Sequence, residues 1–297
     1  MKLGLVGLGR MGAGIAERLR RAGHEVVGFD ADPARTDVPS LAALVAALEA
    51  PRVVWLMLPS GEPTEHAFLE ALEHLQPGDV VIEGANSNFR DSVRRAGLAT
   101  PRGVHFIDAG VSGGIWGLEV GFCLMVGGNR EGVALVEPLF RALAPVDGYA
   151  HVGPAGAGHY TKMVHNGIEY ALLQSYAEGF ELLEKSGFDL DLHQVADLWN
   201  HGSVVRSWLL ELAERALAKD PRLESLGAYV DDSGEGRWTV LEAVERGVPA
   251  GVIAQSLFAR FSSRDDNSLG LRLIAALRNE FGGHAVHAAE APGASEG

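Results

Sequence analysis

Over the first half of the chain, short apolar runs alternate with stretches whose apolar positions recur every three or four residues. The runs at 2–6, 25–30, 53–58, 80–83, 105–108 and 121–126 read as strands, and the amphipathic stretches at 11–22, 41–48, 64–75, 89–98 and 131–143 read as helices. Strands that alternate with helices at this spacing predict a parallel, doubly wound α/β sheet. The pattern changes after His151-Val152-Gly153-Pro154, which reads as a turn. Residues 158 to about 186 form one long helical pattern, followed by helical segments at 192–199, 204–218, 240–246, 252–261 and 269–279, with no good strand. The expected organisation is an α/β domain over 1–155 and an all-α domain over 156–287. The Ala-, Gly-, Pro-, Ser- and Glu-rich residues 288–297 are expected to be a disordered tail.

Composition adds limits. The 297 residues are 47% hydrophobic and 22% charged, so a large core can be buried. A formal net charge of −14 argues against a nucleic-acid partner, although a local cationic cluster could still hold one small anion. No apolar run approaches the ~20 residues of a membrane span, and Met1-Lys2 leads straight into a short apolar run closed by glycines, unlike a signal peptide. A cytoplasmic protein without membrane contact is expected. The single cysteine, Cys123, forbids an intrachain disulfide and is expected to be a buried strand residue. No metal-ligand spacing is present, so no metal is expected.

Gly7-Leu8-Gly9-Arg10-Met11-Gly12 follows the first strand and opens the first helix. In that context Gly7 permits the tight turn, Gly9 lets a pyrophosphate approach the backbone, and Gly12 lets helix and strand pack closely. Arg10 and Met11 lie between the glycines and are counted as cofactor contacts. The free N–H groups of the helix start then favour the anion. Asp30 ends the second strand, a little over twenty residues after Gly7, where a carboxylate accepts from a ribose 2′-OH and repels a 2′-phosphate. A Rossmann-type domain that binds NAD is the expectation. No Arg directly follows Asp30, the nearest being Arg35.

The long helical stretch carries the candidate chemistry. At 100° per residue, Lys162, His165, Asn166, Glu169 and Tyr170 fall within an arc of about 140°. A solvated helix face usually carries flexible Lys and Glu rather than His, Asn and Tyr together, and Gly156, Gly158 and Gly167 suggest close approach by another group. Oxidising a secondary alcohol requires a base for the hydroxyl proton. A lysine serves if its pKa is lowered toward neutrality. If the product is a β-keto acid, the same lysine, once protonated, polarises the ketone for loss of CO₂, and a second acid must protonate the carbon left behind. Glu169, two helical turns on, suits that task.

Gly110-Val111-Ser112-Gly113-Gly114-Ile115-Trp116-Gly117 and Lys162-Met163-Val164-His165-Asn166-Gly167-Ile168-Glu169-Tyr170 resemble the two signature blocks of 6-phosphogluconate dehydrogenases. The resemblance runs to about His287 and is strongest to the short, often NAD-preferring bacterial branch, within the β-hydroxyacid dehydrogenase superfamily. It implies oxidative decarboxylation of a small phosphorylated sugar acid, 6-phosphogluconate. It implies Lys162 as base, Glu169 as acid, and His165 and Asn166 as their hydrogen-bonding partners at the substrate. Asn86, in Glu83-Gly84-Ala85-Asn86-Ser87 where the family has Asp-Gly-Gly-Asn-Ser, matches a contact to substrate and nicotinamide. Ser112, Gly113 and Gly114 match a loop holding the carboxylate end, and Tyr170 matches a phosphate contact. Gly234-Glu235-Gly236-Arg237-Trp238-Thr239 resembles a phosphate motif in which Lys is common at the place of Arg237, with Thr239 following. Arg260 matches a further phosphate ligand. Arg278 and His284 match residues that reach into the partner subunit's site, which implies a homodimer, or a dimer-based homotetramer, with shared active sites. Taken singly, Arg237, Arg260 and Arg278 would read as surface cations.

Two other functions fit parts of the sequence. A non-decarboxylating β-hydroxyacid dehydrogenase of the 3-hydroxyisobutyrate or tartronate semialdehyde type shares the glycine loop, the Ser-Gly-Gly loop and a Lys-x-x-x-Asn helix, but has no expected need for Glu169 and the three arginines. A non-catalytic NAD-binding sensor would not need base, acid and anion ligands together.

Overall fold

A computed structural model describes residues 1–265, 267–282, 285 and 287. Its sheet is built from the sequence's alternating runs: β1 (Lys2–Val6), β2 (Glu25–Phe29), β3 (Val53–Leu56), β4 (Val80–Glu83), β5 (His105–Ser112), β6 (Cys123–Gly128) and β7 (Tyr149–Gly153). The strand order is β2-β1-β3-β4-β5-β6-β7, parallel except where β5 meets β6. The chain leaves β1 toward one edge and returns past it to β3. The carboxyl end of β1 therefore lies at a topological switch point, where open α/β sheets bind ligands.

Because side chains alternate across a strand, each strand supplies two cores. Leu3, Leu5, Val53, Trp55, Val80, Ile82, Ile107 and Ala109 point to one face. There they meet Ile15 and Leu19 of α1 (Arg10–Arg21) and Val136, Leu139 and Phe140 of α6 (Arg130–Leu143). Val6, Val54, Leu56, Val81 and Phe106 point to the other face. These meet Leu41 and Leu44 of α2 (Leu41–Ala46) and Phe68 and Leu72 of α3 (Glu62–His74). Two short helices complete this part, α4 (Phe89–Ala99) and α5 (Gly117–Val120).

The helices beyond the sheet are α7 (Ala157–Glu184), α8 (Leu192–Asn200), α9 (Trp208–Lys219), α10 (Glu235–Arg246), α11 (Gly251–Ser262) and α12 (Leu269–Gly282). Two compact units result. The first comprises Met1–Tyr170 with Gly234–Ile253, and the second comprises Ala171–Ser233 with the described residues from 254 on. The second unit has its own small core, in which Ala196, Leu210 and Leu217 pack with Tyr176, Phe180, Leu192 and Trp199. Among the described residues, no helix is long and apolar enough to cross a membrane.

Four local expectations are corrected. The segment read as a turn at His151–Pro154 belongs largely to β7, an edge strand beside β6. β5 runs four residues further than its apolar run, because antiparallel β6 pairs it through Ser112. α10 starts five residues before the expected 240, with Gly234 as its left-handed N-cap and Gly236 inside the helix. Cys123 lies on a strand as expected but is exposed, since it opens β6 opposite Ser112. His284 and the tail 288–297 lie outside the described residues.

Candidate active site

The glycine loop has the geometry an anion needs. Gly7 has φ 93°, and its N–H donates to Phe29 O at 2.8 Å, which closes the loop on β2. A Cβ on Gly12 would lie 1.9 Å from Gly7 O, so only glycine lets α1 pack there. A Cβ on Gly9 would meet nothing within 4 Å among the described residues, so the loop is open above Gly9. Gly9 is the N-cap of α1, without a side-chain cap bond, and the first turn has no acid. The helix start therefore keeps N–H groups available for a phosphate. Arg10 is exposed beside them and Met11 is half-buried.

Asp30 follows β2 and fastens the same loop. Its Oδ2 accepts from Leu8 N at 2.6 Å and its Oδ1 from Asp32 N at 2.9 Å. The amides of Asp32 and then Leu8 hold its carboxyl below the usual carboxylate range, so it is anionic at neutral pH. Two lone-pair sites per oxygen leave it room to accept from a ribose hydroxyl. The loop and Asp30 together suit a dinucleotide lacking a 2′-phosphate.

Asn86 stands beyond the end of β4 in the left-handed region, φ 51°, which Asn tolerates better than most residues. Its Oδ1 accepts from Val111 N at 3.1 Å and its Nδ2 donates to Val111 O at 3.4 Å. The side chain thus continues the β4–β5 ladder where the β4 backbone has stopped. A buried carboxylate holds this loop from below: Glu83 accepts from Ala85 N, Ser87 Oγ and Arg95 Nη1, at 3.2, 2.9 and 2.9 Å. Ser112 ends β5, and the turn at Gly113 and Gly114 follows, both glycines with positive φ (128° and 52°).

α7 is anchored to the sheet at its start. Asp108 of β5 is fully buried and accepts from Gly156 N at 2.7 Å and His159 N at 2.8 Å. One turn later a Cβ on Gly110 would lie 2.5 Å from Lys162 Cβ, so the missing side chain in β5 is the seat of Lys162. Lys162 is only 5% exposed. Burial pushes its ammonium below the usual lysine range, while the carboxylates of Glu235 and Glu169 push it back up. Its Nζ donates to Asn166 Oδ1 at 2.6 Å, and the same oxygen lies 3.0 Å from His165 Nδ1. Glu169 Oε2 is 3.9 Å from His165 Nδ1, with both side chains more than a third exposed.

The structure thus brings Lys162, His165, Asn166 and Glu169 into one cluster. It also adds Glu235, which the sequence reading had left without a role although the residue lies inside a quoted motif. Asn166 Nδ2 donates to Glu235 Oε2. Helices α7 and α10 meet through glycines: a Cβ on Gly167 would sit 2.7 Å from Thr239 Cγ2, and one on Gly236 would sit 2.5 Å from the Tyr170 ring. Thr239 is buried, and its hydroxyl engages Met163 O and Glu235 O. Tyr170 is buried in the same contact, whereas Arg237 is exposed. In the second unit, Arg260 Nη1 donates to Asp231 O at 2.7 Å, and Arg278 is exposed on α12.

Comparison with known proteins gives consistent matches. Residues 2–153 match the NAD binding domain of 6-phosphogluconate dehydrogenase, and residues 158–269 match the C-terminal domain of the same enzyme. The chain is 46% identical over 297 residues to the NAD(+)-dependent, decarboxylating 6-phosphogluconate dehydrogenase of Haloferax volcanii, covering 96% of this chain and 98% of that protein. Among solved structures, Plasmodium falciparum 6-phosphogluconate dehydrogenase superposes with a TM-score of 0.78 at 27% identity, over 95% of this chain and 65% of that one. A Mycobacterium tuberculosis 3-hydroxyisobutyrate dehydrogenase superposes with a TM-score of 0.71 at 25% identity, over 93% and 99% of the two chains.

Proposed function

The chain belongs to the 6-phosphogluconate dehydrogenase family, and from that premise we propose how its residues divide the oxidative decarboxylation of 6-phosphogluconate to ribulose 5-phosphate and CO₂ with NAD. The observation that carries the reading is the buried Lys162, its pKa lowered by desolvation and its Nζ held by Asn166.

NAD supplies the hydride acceptor when it is bound. Gly7, Gly9, Arg10, Met11 and Gly12 would hold its pyrophosphate, Asp30 its ribose, and Asn86 would lie at the nicotinamide and substrate. Lys162, neutral, takes the proton of the substrate hydroxyl as the C–H bond gives up its hydride. The ammonium so formed then stabilises the ketone oxygen while the adjacent carboxylate leaves as CO₂. Glu169, half-exposed and within reach of His165, delivers the proton to C1 of the resulting enediol. Ser112, Gly113 and Gly114 are assigned to the carboxylate end, with His165 and Asn166 contacting the substrate beside the base. Tyr170, Arg237, Thr239, Arg260, Arg278 and His284 are assigned to the phosphate, although the Thr239 hydroxyl must then leave a backbone bond. Arg237 grips a phosphate through two N–H groups where a lysine would offer a point charge. Arg278 and His284 are assigned to the neighbouring subunit's site in a homodimer or dimer-based homotetramer. We place this enzyme in the cytoplasm.

The non-decarboxylating reading is not favoured, because residues 158–269 match the C-terminal domain of the decarboxylating family. Supplying 6-phosphogluconate and NAD and following NADH and CO₂ together tests the proposal. Equal yields of the two are expected. NADH without CO₂, or turnover only of unphosphorylated hydroxy acids, would reject it.

A further inference from the structure

Glu235 has no task in the reading above, yet its placement is specific. It opens α10, is 6% exposed, and accepts from Asn166 Nδ2. A carboxylate only accepts, so it selects the Asn166 orientation in which Nδ2 faces α10. Oδ1 then faces back along α7, where it receives Lys162 Nζ and lies against His165 Nδ1. With the amide turned over, Nδ2 would meet the charged Nζ donor to donor, and would occupy the lone pair of the neutral amine. A neutral amine keeps two N–H groups and one lone pair. Tying one N–H to a fixed oxygen restricts where the lone pair points, and that orbital must face the substrate hydroxyl.

We propose that Glu235 is the positioning residue for the base: acting through Asn166 it fixes the direction of Lys162 Nζ. Its buried carboxylate also favours the charged form of that amine, against the larger effect of burial. The inference rests on Lys162 being the base. The carboxylate is itself held in place, because the single Thr239 O–H is shared between Glu235 O and Met163 O and so ties the first turn of α10 to α7. The groups facing Lys162 are Glu235 from α10, Glu169 from α7 and Cys123 from β6, with Asn166 of α7 bonded to Nζ and His165 bonded to the same amide oxygen. Of the two carboxylates, Glu235 is buried and Glu169 is more than a third exposed, so water screens Glu169 more strongly. Glu235 is accordingly the larger of the two charge effects that oppose desolvation at Lys162.

The test compares wild type, Glu235→Gln and Glu235→Ala. The chain has four lysines, of which Lys185 and Lys219 are exposed and serve as internal standards. Competitive labelling with acetic anhydride across pH, read by peptide mass spectrometry, follows the titration of Lys162 without any turnover. Glu235→Gln removes the charge and keeps an acceptor, so Lys162 should titrate about one pH unit lower than in wild type. The acidic limb of kcat/KM should move the same way, since the free enzyme needs the neutral amine. Glu235→Ala also removes the acceptor, and its kcat should fall ~10–100-fold with KM changed far less. An unmoved Lys162 titration in Glu235→Gln overturns the proposal, as does wild-type kcat in Glu235→Ala. If the alanine variant does not fold, the glutamine variant decides alone. A wild type that makes no NADH from 6-phosphogluconate, with the Lys162 shift still present, rejects the assigned substrate and upholds the role of Glu235 at the amine. An active wild type with no shift rejects Glu235 only.

Discussion

The two units treat their apolar residues differently. The sheet-bearing unit buries Trp55, Phe68, Phe122 and Phe140 almost completely, in two cores filled from both faces of every central strand. Among its described residues, the helical unit buries Ala196, Leu210 and Leu217 in its own cluster and Leu257 apart from it, and leaves Leu198, Phe258, Leu269, Leu273 and Ile274 about half exposed or more. Runs of exposed apolar side chains mark interaction surfaces. The contrast separates a unit built on two large cores from one built on a single small cluster. In the proposed dimer, the partner subunit's Arg278 would serve each site.

The largest effect should come from the base in the sheet-bearing unit. Lys162→Met should fold and bind cofactor yet lose oxidation by ~10²–10⁴. Near-normal NADH formation would remove Lys162 from the mechanism. Arg278→Ala should also be nearly inactive. Co-expression of the two variants should restore roughly a quarter of wild-type activity, because half of randomly paired dimers carry one intact site. No recovery in verified mixed dimers would confine Arg278 to its own chain, and a nearly active Arg278→Ala variant would make it a surface cation.

Next in size is packing in the sheet unit. Phe140→Ala should destabilise by ~3–5 kcal/mol in urea unfolding, since the ring is fully buried and packs edge-on to Trp55. A loss below ~1 kcal/mol would mean that this core is no tighter than the helical one. Cofactor choice follows. Asp30 is held anionic by the Asp32 and Leu8 amides, so NAD should be preferred over NADP by roughly 100-fold in kcat/KM, on the order of a few kcal/mol of repulsion. Equal use of the two would show that Asp30 serves only its own loop. The smallest effect on the chain itself should be Ile274→Ser, within about 0.5 kcal/mol. The same change should shift sedimentation toward the monomer. A loss as large as that of Phe140→Ala would place Ile274 in a core.

Most of this was legible in the chain. Short apolar runs alternating with amphipathic stretches, together with the glycine loop, pointed to the Rossmann-type sheet, and helical spacing placed Lys162, His165, Asn166 and Glu169 together. What escaped the reading shares one physical cause, that the decisive partner lies far away in sequence. β7 carries no apolar alternation, with His151 exposed, and exists because β6 offers it an edge. The extension of β5 through Gly110 looks like a loop until β6 pairs with it. Gly234-Glu235-Gly236 looks too glycine-rich for a helix, but Gly236 is the space that the Tyr170 ring fills. Glu235 could have been noticed as a lone acid in a motif otherwise read as anion-binding.

The Asp108 clasp on Gly156 and His159 makes α7 a lever with its fulcrum beside the chemistry. Lys162 lies about 4.5 Å of helix rise beyond His159, whereas Glu184 lies about 38 Å beyond it. A tilt of about three degrees about that fulcrum carries Glu184 through roughly 2 Å but moves the backbone at Lys162 by only about 0.2 Å. Any tilt about that clasp is thereby geared down some eightfold before it reaches Lys162, and the seating of Gly167 on Thr239 and of Tyr170 on Gly236 holds the helix over the turns that follow.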